Sequence, residues 1–107
     1  MSTTDTTREA VCRLDELPKG TLRLETVRRR KIALMRVDDD VYAFSNACPH
    51  KGAPLDEGCL HEGRREIICP WHRFRFDLTT GKSVTNPDLA AVTFPVTIED
   101  GMIYVTV

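Results

Sequence analysis

The sequence predicts an all-β chain, folded as a small antiparallel sandwich or barrel. Three observations carry that expectation. Short runs that alternate apolar and polar residues recur every eight to ten residues through the first half of the chain. Turn signals such as Leu17-Pro18-Lys19-Gly20 and Asp100-Gly101 separate them. No segment carries a convincing helical period.

In chain order, residues 1–8 form a polar, Thr-rich tail without the basic and apolar regions of a signal peptide. Residues 9–107 read as one domain, as a length of 107 residues suggests. Residues 10–14 are a first strand, alternating weakly. Residues 21–27 place Leu22, Leu24 and Thr26 on one face of the next strand. Arg28-Arg29-Arg30-Lys31 reads as an exposed hairpin turn; docking of an acidic partner is the sharper alternative. Residues 32–37 and 41–44 are strands joined by a turn at Asp38-Asp39-Asp40, whose spacing fails the EF-hand pattern.

Residues 55–65 are polar and punctuated by glycine, and read as loop. Residues 66–69 and 73–78 are strands, the second with Phe74, Phe76 and Leu78 on one face. Thr79-Thr80-Gly81 turns the chain and residues 82–84 return. Residues 92–98 and 102–107 close the domain as a hairpin around Asp100-Gly101.

Composition excludes several classes. A net charge of −1 gives no global pull toward nucleic acid or membrane. No apolar run approaches the roughly 18 residues that span a bilayer. Only three histidines are present, and no Ser/His/Asp or paired-carboxylate constellation stands out. The expectation is therefore a cytoplasmic protein, where cysteine serves as a metal ligand more often than as a disulfide.

The chemistry-bearing stretch is Cys48-Pro49-His50, eighteen residues, then Cys69-Pro70-Trp71-His72. Two short loops each carry one thiol and one imidazole. Such a set can satisfy two tetrahedral irons that share two sulfides, both cysteines on one iron and both histidines on the other. It can equally close around one tetrahedral zinc. Cys59-Leu60-His61 is a second Cys-x-His, but it leaves only seven residues before Cys69 and lacks the flanking Pro and Gly. Cys59 therefore reads as packing or a free thiol, and Cys12 as a small buried apolar residue.

Cys-x-His followed by Cys-x-x-His at this separation resembles the Rieske [2Fe–2S] signature. Cys48-Pro49-His50-Lys51-Gly52-Ala53-Pro54-Leu55 looks like that family's first loop. Cys69-Pro70-Trp71-His72, with Phe76-Asp77 and Thr80-Gly81 after it, looks like the second loop and the hairpin that follows. Arg73 stands where the family often has glycine directly after the second histidine, which bears on local backbone geometry.

The resemblance implies a Rieske fold of three antiparallel sheets, with a cluster-binding subdomain of two loops at about residues 46–76. It implies one [2Fe–2S] cluster per chain, held by Cys48, His50, Cys69 and His72. High-potential members carry a hydroxyl residue two positions after the second histidine and a tyrosine four positions after it. Phe74 and Phe76 stand there and donate nothing. Where those members tie the loops with a disulfide, this chain has Ala53 and Trp71. A low-potential cluster is implied.

The expected role is a ferredoxin, an electron-transfer protein rather than an enzyme. It passes single electrons from a flavin-dependent ferredoxin reductase to a terminal oxygenase, as a monomer, with no nucleic acid or membrane partner. The runner-up is the small subunit of an NAD(P)H-dependent nitrite reductase. A structural zinc-binding interaction module is the alternative from a different class. Lys51, Arg64, Arg73 and Arg75, close to the loops in sequence, are a solvated face or a steering patch for an acidic partner.

Overall fold

The computed structural model describes residues 8–71 and 73–107. The described residues hold ten strands: β1 Arg8–Arg13, β2 Leu22–Val27, β3 Arg30–Val37, β4 Asp40–Ser45, β5 Cys59–His61, β6 Glu66–Ile68, β7 Arg75–Asp77, β8 Thr93–Phe94, β9 Val96–Glu99 and β10 Met102–Thr106. Single 3-10 turns occupy Leu14–Glu16 and Leu55–Glu57. Arg8 opens β1 rather than ending the tail, held by a 2.7 Å ion pair to Glu99.

Three antiparallel sheets result, in the orders β1-β10-β9, β2-β3-β4-β8 and β5-β6-β7. β3 is the strand they share in packing terms. Its sequence is an almost unbroken apolar run, Ile32 to Met35, which suits a strand buried on both faces. Ile32 and Leu34 point into one core with Leu17, Val27, Val41, Ala43, Ile103 and Val105. Ala33, Met35 and Val37 point the other way, into a core with Phe44, Leu55, Ile67, Phe76 and Leu78. The first core joins the β1-β10-β9 sheet to the middle sheet. The second joins the middle sheet to the β5-β6-β7 sheet, and it contains both Cys48 and Cys69.

Three further expectations are corrected. Residues 59–61 form β5, which pairs residue for residue with β6. Residues 82–84 make only the isolated bridges Phe76 to Ser83 and Lys82 to Ala90. The run 92–98 is broken at Pro95, which has no N–H to give a ladder. Before it, β8 pairs with β4 in the middle sheet; after it, β9 pairs with β10.

Two hairpins share a turn geometry but differ in sequence. Asp100 (φ 51°) and Gly101 (φ 77°) take the left-handed conformations that a two-residue hairpin demands, with residues suited to them. Between β2 and β3 the same places hold Arg28 (φ 49°) and Arg29 (φ 70°). A left-handed side-chain-bearing residue costs on the order of 1–2 kcal/mol.

Candidate metal centre

The two ligand loops rise from the second core. The first leaves β4 through Asn46, which is buried and fully used. Its backbone N–H donates to the Lys31 carbonyl at 2.9 Å, and its own carbonyl accepts from the Leu55 N–H at 2.8 Å. Its side-chain amide donates to Asp56 at 2.7 Å, and its side-chain oxygen accepts the Asp56 N–H at 2.8 Å. Within this clip the Cys48 N–H donates to the Ala53 carbonyl at 2.9 Å, and the Gly52 N–H donates back to the Cys48 carbonyl at 2.7 Å. Closing so tight a loop puts Gly52 at φ 75°, which glycine adopts without strain.

Among the described residues, the second loop is braced more sparingly. The Cys69 N–H donates to the Phe74 carbonyl at 2.8 Å. The Arg75 N–H donates to Thr85 Oγ1 at 3.0 Å, and the Val84 N–H to the Arg75 carbonyl at 2.8 Å. Arg73 sits at φ 55°. The position where glycine is the family's frequent choice thus has the backbone that favours glycine, and arginine occupies it.

Cys48 and Cys69 are 2% and 1% exposed. Their thiols are neighbours without a disulfide. Burial, together with the Cys48 thiol alongside, pushes the Cys69 thiol up to about 11, against the pull of the Trp71 N–H on its sulfur. His50 is half-buried and lies flat against Phe74, ring centroids 4.1 Å apart and planes 14° from parallel. That stack ties the first loop to the second. His72 lies outside the described residues.

The remaining sequence candidates fall away from this centre or on its rim. Cys59 is exposed on β5 opposite Ile68. The Nδ1 of His61 accepts the Arg64 N–H at 3.1 Å. Cys12 is half-buried on β1, its thiol raised first of all by burial. Arg75 is no free surface cation: its Nε lies 3.0 Å from the buried Glu66 carboxylate, bracing the third sheet. Lys51, Arg64 and Arg73 are exposed, and Trp71 is 48% exposed. Asn46 was not singled out in the sequence, because an asparagine before a ligand loop reads as ordinary turn chemistry.

Two adjacent buried thiols, left unoxidised, with a backbone N–H aimed at one sulfur and an imidazole two residues from the other, fit a thiolate-bound metal group. That chemistry suits the class of metal-binding all-β domains. Comparison with known proteins narrows it. The model for the Rieske [2Fe-2S] domain matches residues 7–96. The ferredoxin component of the naphthalene 1,2-dioxygenase/salicylate 5-hydroxylase systems of a Ralstonia species is 42% identical over 93 residues, 86% of each chain. The ferredoxin of carbazole 1,9a-dioxygenase from Nocardioides aromaticivorans superposes with a TM-score of 0.86 at 36% identity, over 92% of this chain and 96% of that one. A chain in a complex of reduced oxygenase and oxidised ferredoxin of carbazole 1,9a-dioxygenase does so with a TM-score of 0.82 at 32% identity, over 92% of each.

The chain belongs to the Rieske [2Fe–2S] domain family. It is a Rieske-type ferredoxin, an electron carrier with one [2Fe–2S] cluster. No helix among the described residues is long and apolar enough to cross a membrane.

Proposed function

We propose that Cys48, His50, Cys69 and His72 hold the cluster, and that the protein carries single electrons from a flavin-dependent ferredoxin reductase to a terminal oxygenase. The observation that supports the ligand set most directly is the pair of neighbouring buried thiols, one from each loop. When bound, the cluster supplies one-electron redox chemistry, with the histidine side favoured for the added electron. The chain's own residues do the rest. Cys48 and Cys69, sunk in the second core, exclude water from the thiolate side. Phe74 fixes the plane of the His50 ring, and that half-buried imidazole gives the electron an edge at the surface.

The dioxygenase systems to which the similar ferredoxins belong support an oxygenase as the acceptor. Residues 9–107 act as one domain, monomeric and cytoplasmic in this reading. The cluster has a low potential. Phe76, fully buried, and Phe74, committed to the stack, offer no hydrogen-bond donor to it.

The test is EPR of the anaerobically purified, dithionite-reduced protein, with iron and sulfide counted on the same sample. A rhombic signal averaging below the free-electron g value, with about two irons and two sulfides per chain, is expected. A colourless sample holding zinc alone would overturn the ligand reading. A midpoint above roughly +100 mV would overturn the low potential, within a family range of about −150 to +300 mV. Co-purification with a siroheme subunit, with no transfer to any oxygenase, would move the protein to the nitrite reductases.

A further inference from the structure

The Arg28–Lys31 turn is placed where charge would matter for electron transfer. It lies at the cluster end of the middle sheet. Lys31 pairs through its carbonyl with the Asn46 N–H, two residues before Cys48. An open groove runs between them, lined by Lys31, Ser45, Asn46, Ala47, Gly52 and Pro54. Lys51, on the lip of the first ligand loop, is exposed beside that groove in sequence.

The charges here are largely unneutralised. Arg28 has the Glu9 carboxylate at 3.6 Å. Among the described residues, Arg29, Arg30, Lys31 and Lys51 have no carboxylate within ion-pair distance. Of the nearby acids, Glu25 is paired with Arg23 at 2.6 Å, while Asp56 is held by the neutral Asn46 amide and keeps its charge, with no cation of the face within ion-pair distance. Opposite β3, the Asp38–Asp40 turn shows the contrast, its carboxylates met by Arg36 and Arg65.

Backbone strain is a second, independent observation. Arg28 and Arg29 hold two left-handed positions that Asn-Gly would fill without strain, as Asp100-Gly101 nearly does elsewhere in this chain. A strained site kept by its surroundings points to a role for the side chains rather than for the turn.

We propose that Lys31 and Lys51, with Arg29 at the tip of the turn, form one cationic docking face beside the cluster, for a redox partner protein that presents clustered carboxylates; Arg30 points to the other face of the sheet, with Val27 and Ile32. The proposal rests on the electron-carrier reading above. The face acts on association: it raises the encounter rate at low salt and orients the cluster end toward the partner before contact. The net charge of −1 would by itself repel an anion, so the sign of the local effect is opposite to that of the whole protein.

The test uses the holoprotein, reduced with dithionite and mixed with ferricyanide, an anionic acceptor that samples the charge at the electron's exit. The rate should fall roughly tenfold as ionic strength rises from low to physiological values, and a cationic acceptor, cobalt(III) hexaammine, should show the reverse trend. Neutralising the face in R29Q/K31Q/K51Q should remove most of the low-salt advantage with ferricyanide. The control D38N/D39N, at the far turn, makes the net charge more positive and should raise rather than remove that advantage. Flat or rising ferricyanide rates with salt, or equal effects of the two variants, would overturn the proposal. So would tight binding of duplex DNA at physiological salt that is lost in the triple variant while ferricyanide rates stay put. Each variant is checked for its reduced EPR signal. Absence of that signal in the wild type would instead strike the electron-carrier reading, and an intact signal with insensitive rates strikes only the docking face.

Discussion

The two ligand loops hold equivalent thiols by different means. The first is closed by backbone hydrogen bonds inside a buried clip, in which Asn46 uses both its backbone and its side chain. Among the described residues, the second has the backbone bonds of Cys69 and Val84, a threonine hydroxyl, a strained arginine, and the face of Phe74 resting on the histidine of the first. One loop is positioned by part-buried polar groups, the other by packing against its neighbour. Buried hydrogen bonds fix a geometry more tightly than surface ones, because breaking them leaves unsatisfied groups. The first loop is therefore the template, and the second is fitted to it.

The largest effect erases the difference between the loops. Cys48→Ser and Cys69→Ser should each abolish cluster loading, with iron content falling to near zero and the reduced EPR signal lost, since each loop supplies one thiolate. Retention of full iron by either variant would break the ligand assignment.

Next, Asn46→Ala should cost about 2–3 kcal/mol, because it strands the Asp56 N–H and the Asp56 carboxylate. For a domain of this size that lowers Tm by roughly 10 °C or more. Thr85→Val, which removes the corresponding brace of the second loop at its exposed rim, should cost about 1 kcal/mol or less. Equal losses in thermal scans of the two variants would end the distinction between template and fitted loop.

A smaller, spectroscopic effect sharpens the comparison at Phe74. Phe74→Ala and Phe74→Ser both remove the stack on His50, but only serine can donate toward the cluster. The midpoint potential of the serine variant should lie above that of the alanine variant; identical potentials would remove the argument from missing donors. The smallest change is Arg73→Gly, which relieves a left-handed residue and should stabilise the holoprotein by up to about 1 kcal/mol in denaturant titration. A clear loss of stability would mean that the arginine side chain does something the backbone argument omits.

Much of this was legible in the sequence because it rests on local chemistry. The apolar run of β3 and the turn residues Asp100-Gly101 need only their neighbours to be read, as do the short stretches 48–50 and 69–72 that carry the proposed ligands. What escaped depends on tertiary context. β5 is three residues long, with Leu60 its one apolar residue, so its pattern is too short to register. Residues 82–84 meet partners only through single bridges. Asn46 matters because the Lys31 carbonyl and Asp56 converge on it from elsewhere in the chain. Arg75 looked like a free cation because its partner, Glu66, is reached only across the third sheet.

The break at Pro95 has a consequence for how the molecule can fail. A single stretch of chain edges the middle sheet at Thr93–Phe94 and, one residue later, pairs in the outer one at Val96–Glu99. The carbonyl of Pro95 also accepts the Thr106 N–H at 2.9 Å. If either sheet slid by one residue, the displacement would pass through the rigid ring into the other and turn both apolar faces outward together. Misalignment therefore carries a double penalty, and the two sheets lock each other's alignment through one imino acid.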